Sequence, residues 1–207
     1  MKDYRKYFAV GIKKSFPDKA DTVLRETEEN FKAIAVDTKF AASSPNPIDR
    51  RLDFSAYFLA LIKTLDKKGE SFQKIRDVSL AIVLDYVTPK NKFQRIIKRL
   101  PAKLIGSPIA GLFLKKFKEK AGTNPNPNGF IANIITDKEE TMGLGYGVDI
   151  LECGICKLFN KHGYQKYASI LCEVDAITAG FAGLKMIRTG TIASGAKKCD
   201  FRWAKVH

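Results

Sequence analysis

The chain has 207 residues, 45% hydrophobic and 28% charged, with a formal net charge of +14. This is a globular composition, long enough for one large core or two small ones, and it excludes a fibrous, disulfide-dense or disordered chain. No apolar run reaches the ~18 residues of a membrane span, and "MKDYRKYFAVGIKKSF" has neither the apolar core nor the cleavage site of a secretory signal, so a cytoplasmic protein is expected.

The first half reads as helices. "DYRKYFAVGIKKSF" places Tyr4, Phe8 and Ile12 at helical spacing, and a second helix follows Pro17, a residue suited to a first turn. "SSPNPIDRR" is a loop. "LDFSAYFLALIKTLDKKG" is a helix stopped at Gly69, and the next aligns Phe72, Ile75, Val78, Ile82 and Tyr86 before Pro89 ends it.

Residues 90–120 hold ten Lys or Arg against one acid, Glu119, a net +9 of the total +14. The block is expected to break at Pro101 and at "GSP" (106–108), with Ile109, Leu112, Phe113 and Phe117 on one face of its last helix. It reads either as a helical face packed on the domain with its lysines in water, or as a surface for an anionic partner or membrane. No nucleic-acid motif accompanies it, so no specific nucleic-acid partner is expected.

"GTNPNPNG" (122–129) divides a helical region, 1–122, from an α+β region, 123–207, the two being expected to form one folded unit. "FIANIITD" (130–137) and "GLGYGVDILE" (143–152) read as strands; the glycines of the second fit no phosphate-binding fingerprint. Helices are expected at about 153–161 and 164–182, then a hairpin. The fold class is α+β: a helical N-terminal half, and a C-terminal antiparallel sheet of about four strands with helices on one face.

The closing "RTGTIASGAKKCDFRW" (188–203) carries charge where a structural hairpin needs none. With Ser194-Gly195 as a two-residue turn, Ile192 faces Lys197, Gly190 faces Cys199, Arg188 faces Phe201 and Met186 faces Trp203. Leu184, Met186, Arg188, Cys199, Phe201 and Trp203 then share an apolar face, and Thr189, Thr191, Asp200 and Arg202 the other. An arginine buried there needs an anion. Asp175 is the one acid on the seam Tyr164, Ala168, Leu171, Asp175 and Thr178, with Cys172 a turn back. It serves as counter-ion to Arg188, as general base, or as both.

All four cysteines lie in the last 55 residues: Cys153, Cys156, Cys172 and Cys199. They admit three readings: a zinc site of all four, a redox Cys-x-x-Cys at a helix start, or one reactive thiol among packed ones, Cys199 first and Cys156 second. No cofactor is expected, zinc being the one candidate. Only His162 and His207 exist, which excludes a multi-histidine metal site and leaves His162 as a surface helix end or a base for Cys156.

"ECGICKLFNKHG" and "YASILCEVDAITAGFAGLKMIRTGTIASGAKKCDFRW" resemble the C-terminal signature of the L-2-amino-thiazoline-4-carboxylic acid hydrolase family. The matching parts are Cys153-x-x-Cys156, Cys172-x-x-Asp175, Arg188-Thr189-x-Thr191, a small-residue turn and Cys199-Asp200-Phe201, over about 60 residues. The turn "SGAKK" departs from the pattern, which has a further glycine. A looser likeness links the hairpin to the 4-vinyl-reductase-type ligand-binding domain.

The family resemblance implies a hydrolase that opens a cyclic amidine. Water or a thiolate adds to the ring carbon between nitrogen and sulfur, and the C–S bond breaks to give N-carbamoyl-cysteine. The residues suit such a reaction: Cys199 or Cys156 as nucleophile and Asp175 to take the proton from water or hold the protonated amidine, with Arg188, Thr189, Thr191, Cys172 and Asp200 around the substrate and Arg188 on its carboxylate. The alternatives are a non-catalytic sensor of a small anionic ligand, and a zinc or iron-thiolate module. The oligomeric state stays open.

Overall fold

Helix α3 (Arg51–Lys67) is apolar on nearly every side, and such a helix must sit inside the fold. Leu52, Phe58, Leu59, Leu61 and Ile62 are fully buried in it. Around it pack α1 (Arg5–Ser15), α2 (Ala20–Thr38) and α4 (Phe72–Val87), with Tyr4, Phe8 and Tyr57 meeting edge to face at the centre. Gly69, at φ +79°, ends α3 in the left-handed conformation, as expected of a helix stop. Ser71 then caps α4 by accepting the Lys74 N–H at 3.2 Å. This computed structural model describes residues 3–105 and 107–206. His207, Gly106 and the side chains of Pro108 and Ile109 lie outside the described residues.

The basic stretch forms α5 (Lys92–Leu104) and α6 (Pro108–Ala121). Contrary to expectation, Pro101 lies inside α5 instead of breaking it. A proline there removes one backbone bond, and α5 lies on the surface, where the freed carbonyl is not forced into an apolar interior. The expected apolar face of α6 divides: Phe117 packs on the sheet, whereas Leu112 and Phe113 point outward.

Strands β1 (Ile131–Ile135), β2 (Gly147–Glu152), β3 (Leu184–Ile187) and β4 (Cys199–Lys205) form an antiparallel sheet ordered β1-β2-β4-β3, the expected α+β arrangement. Helices α7 (Gly154–Lys161) and α8 (Ala168–Phe181) lie between β2 and β3 in the chain and, with Tyr167 of the turn joining them, bury Leu158, Phe159 and Ile170 in the N-terminal helical core. The register sets Ile150 opposite Cys199, Val148 opposite Phe201 and Met186 opposite Trp203. Their side chains face the helices. The other face is polar, with the buried Asp149 carboxylate held by Lys198 at 2.5 Å and Arg202 at 2.9 Å.

Two sequence expectations change. The glycine-rich strand begins only at Gly147, because Gly143 and Gly145 adopt φ +80° and +73° and form a turn. The hairpin is also wider than a two-residue turn. Its ladder ends at Ile187–Arg202, so the pairs Ile192–Lys197, Gly190–Cys199 and Arg188–Phe201 are not part of it. A 3-10 turn, Ile192–Ser194, closes the loop, capped by Thr191 and followed by left-handed Gly195 (φ +89°). Asp200 replaces the missing ladder, accepting N–H bonds from Thr189 at 3.0 Å and Gly190 at 2.9 Å and the Thr189 hydroxyl at 2.6 Å. The pairing of Met186 with Trp203 stands as expected.

The helical half is tied to the sheet at Asp49. This fully buried carboxylate accepts the Phe130 N–H at 2.8 Å, Asn124 Nδ2 at 2.8 Å and the Ser44 hydroxyl at 2.5 Å, while Asn46 Nδ2 donates to the Phe130 carbonyl at 2.8 Å. Asp49→Ala strands the Phe130 amide in the interior and is expected to cost about 3 kcal/mol or more, from three lost bonds to a carboxylate, read as a lower midpoint in urea denaturation.

Candidate functional site

Alternation along β3 carries Arg188, just past its last residue, onto the same side as Leu184 and Met186. There its guanidinium reaches α8, where Nη1 donates to Asp175 Oδ2 at 3.3 Å and Nη2 to the Cys172 carbonyl at 3.1 Å. It lies 5.0 Å over the Phe201 ring, which shields it from water. The sequence-based pairing of Arg188 with Asp175 is therefore present. A second cation was missed: Arg51, at the start of α3, lies 3.7 Å from Asp175 Oδ1. Its position in "PNPIDRR", more than a hundred residues before Asp175, gave no local signal.

Asp175 faces a cavity of about 420 Å³ between the sheet and helices α5 and α8. Val148, Ile150, Phe201 and Trp203 line the sheet side, and Trp203 stacks on Tyr146 at 5.2 Å. Pro101 and Ala102 of α5 close it opposite, and Arg51 stands beside Asp175 in the wall. Asp175 is the one acid among the described lining residues. Burial pushes its carboxyl above the ordinary range, partly offset by Arg51 and Arg188.

The four cysteines are unpaired. Cys153 is the N-cap residue of α7, in extended conformation, with Cys156 one turn along the helix. The Cys156 contact, aided by the N–H groups of Cys156 and Ile155 and opposed by burial, lowers the Cys153 thiol below its usual value. The same contact raises Cys156, followed by burial. Gly154 makes this helix start possible, since a Cβ there lies 3.0 Å from the Asn128 carbonyl. Burial pushes Cys172 up to about 12, and raises Cys199 despite the N–H bond that its sulfur accepts from Ile192 at 3.2 Å. The sequence-based choice named Cys199 and Cys156 and did not include Cys153, whose thiol is the lowered one. The signal was present, because Cys153 is the N-terminal member of a Cys-x-x-Cys at a helix start.

Cys156 borders a separate crevice beside Gln165 and Ile192. His162, considered as its base, instead meets Asp37 at 3.0 Å. Thr189 and Asp200 bind each other on the sheet face away from Cys199, and Thr191 caps the loop. Among the described residues, no three of His, Cys, Asp or Glu stand where they could hold a metal ion, and no helix is long and apolar enough to cross a membrane.

Two outcomes are expected. Iodoacetamide labels Cys153 ahead of the other thiols, with a rate that inflects below pH 9.0, the ordinary thiol value; peptide mass mapping reads this directly. Asp200 gives the second. Burial opposes its ionisation, but the Thr189 hydroxyl and the Gly190 and Thr189 N–H groups outweigh that and hold it at about 2. Its stabilisation is complete above the unfolded value of 3.8 and is lost as pH falls toward about 2. Thermal melts of the wild type should therefore drop more steeply over that interval than those of Asp200→Asn, which starts less stable at neutral pH.

A family model for L-2-amino-thiazoline-4-carboxylic acid hydrolase matches residues 50–203, a span that includes Arg51, the four cysteines, Asp175 and Arg188. No curated protein and no solved structure matches the chain. The match covers most of the sequence, and the chain belongs to the L-2-amino-thiazoline-4-carboxylic acid hydrolase family.

Proposed function

We propose that the chain hydrolyses a small anionic cyclic amidine of the 2-amino-thiazoline-4-carboxylate type, with Asp175 as the general base. The observation that carries this reading is the placement of Asp175 as the cavity's acid, between Arg51 and Arg188. The lining holds Asp175 but none of the cysteines, which favours direct attack by water.

In this reading, Arg51 holds the substrate carboxylate and the amidine carbon lies over Asp175. Asp175 takes a proton from water as the oxygen bonds to that carbon. The hydroxyl proton of the tetrahedral adduct passes to the ring nitrogen as the urea carbonyl forms, the electron pair of the C–S bond goes to sulfur, and Asp175 returns its proton to the departing thiolate. One water is consumed, and the product is N-carbamoyl-cysteine. Arg188 positions Asp175 without touching substrate. A base whose carboxyl titrates above the usual range accepts a proton more readily near neutrality, so burial serves the reaction. The cavity is of a size that takes drug-like ligands. Its apolar walls leave room for an apolar substituent on the ring.

A specific observation supports a second route, the lowered Cys153 thiol. There the thiolate adds first, the ring sulfur leaves, and water then releases the urea product and the Cys153 thiolate.

The test is turnover of 2-amino-thiazoline-4-carboxylate, followed by mass detection of N-carbamoyl-cysteine. Asp175→Asn is expected to lower kcat by about a hundredfold or more, and Arg51→Ala to raise KM with a smaller loss in kcat. Cys153→Ser keeps activity in the water route and abolishes it in the thiolate route. The acid limb of the wild-type profile should lie above 3.8, the ordinary carboxylate value. Ligand binding without turnover by the folded wild type makes the cavity a sensor site and ends the hydrolase reading.

A further inference from the structure

Helix α5 is amphipathic, but its apolar stripe faces outward. Phe93, Ile96, Ile97, Leu100 and Leu104 recur at helical spacing and are between 47% and 70% exposed, while Ala102 is the buried residue of the helix. Lys92, Arg95, Arg99 and Lys103 recur at the same spacing on the adjoining face, all exposed. The sequence holds no acid between Asp85 and Glu119. Helix α6 adds Leu112 and Phe113, each about 70% exposed, and its own lysines.

We infer that α5 docks in the plane of an anionic membrane surface, its apolar stripe entering the headgroup boundary and its cations meeting lipid phosphates. An exposed apolar stripe on a soluble protein marks an interaction site, and the charge beside it selects the occupant. A second copy of the chain related by a twofold axis would set one basic face against another, which repels. An anionic bilayer supplies both an apolar layer for Phe93, Ile96 and Ile97 and a sheet of negative charge for the lysines and arginines. The stripe and the cations Lys92, Arg95, Arg99 and Lys103 lie outside the cavity lining, which α5 reaches through Lys98, Pro101 and Ala102 on its other side.

The experiment is co-sedimentation of the full chain with vesicles of phosphatidylcholine alone, and with vesicles of phosphatidylcholine mixed with phosphatidylglycerol. The chain is expected to bind the mixed vesicles and not the zwitterionic ones, with binding that falls as salt rises. Lys92→Gln with Arg95→Gln should weaken it by about fivefold per cation removed. Ile96→Ser with Ile97→Ser should weaken it by about tenfold or more. Circular dichroism should show every variant folded, since the substituted side chains are exposed. Equal binding to both vesicle types, or no binding by the folded wild type, overturns the inference. So does binding untouched by the serine variant, which would reduce the contact to charge alone. Self-association abolished by the serine variant, without vesicle binding, assigns the stripe to a second copy. Tighter retention by polyglutamate than by mixed vesicles assigns it to an acidic protein.

Discussion

Asp49 has left water entirely, and the fold meets the cost of that with three donors from three separate segments. One comes from the loop before α3, one from the linker after α6 and one from the residue preceding β1. The carboxylate therefore fixes where the helical half stops and the sheet begins. It also fixes α3, whose first residue is Arg51, two positions further on. The reach of Arg51 across to Asp175 depends on that anchor, so a polar knot far from the chemistry sets the geometry of the cavity wall.

The same economy governs the sheet. Its inner face is apolar except at its rim, where Arg188 takes the place a large hydrophobe would fill. That arginine is held by a carboxylate, a helix carbonyl and an aromatic ring at once. Its outer face carries a second buried carboxylate, Asp149, held by two cations. The two arrangements differ in consequence. Asp149 is closed off by Lys198 and Arg202, whereas Asp175 retains an edge toward open volume. A carboxylate that is both buried and approachable is suited to exchanging protons, and the outer one is suited to holding strands together.

Much of this was legible in the residues. The alternation Leu184, Met186, Arg188 and the helical phase of Asp175 sufficed to bring the two charges together, because both periodicities are local. The register of β3 against β4 was reached from an assumed turn at Ser194-Gly195, and its Met186–Trp203 pair holds although the loop is built differently. The loop failed because its closure depends on Asp200 folding back on Thr189 and Gly190, a side-chain substitution for backbone pairing that no alternation encodes. Arg51 was hidden for a different reason, since only tertiary packing of α3 beside α8 makes it a neighbour of Asp175. The outward stripe of α5 was hidden as well, because periodicity shows that a helix has an apolar face but not which way it turns.

Pro101 lies in the wall of the cavity as well as inside α5. It offers no N–H to the carbonyl of Ile97, so the two ends of α5 are joined at that point by one tie fewer, while the Ile105 N–H still closes on the Pro101 carbonyl at 3.0 Å. Bending the helix there disturbs one hydrogen bond fewer than bending it elsewhere. Of the surfaces around Asp175, the sheet is braced by its ladders and α8 by an unbroken backbone. The lip formed by α5 is thus the side that yields at least cost when something has to enter or leave.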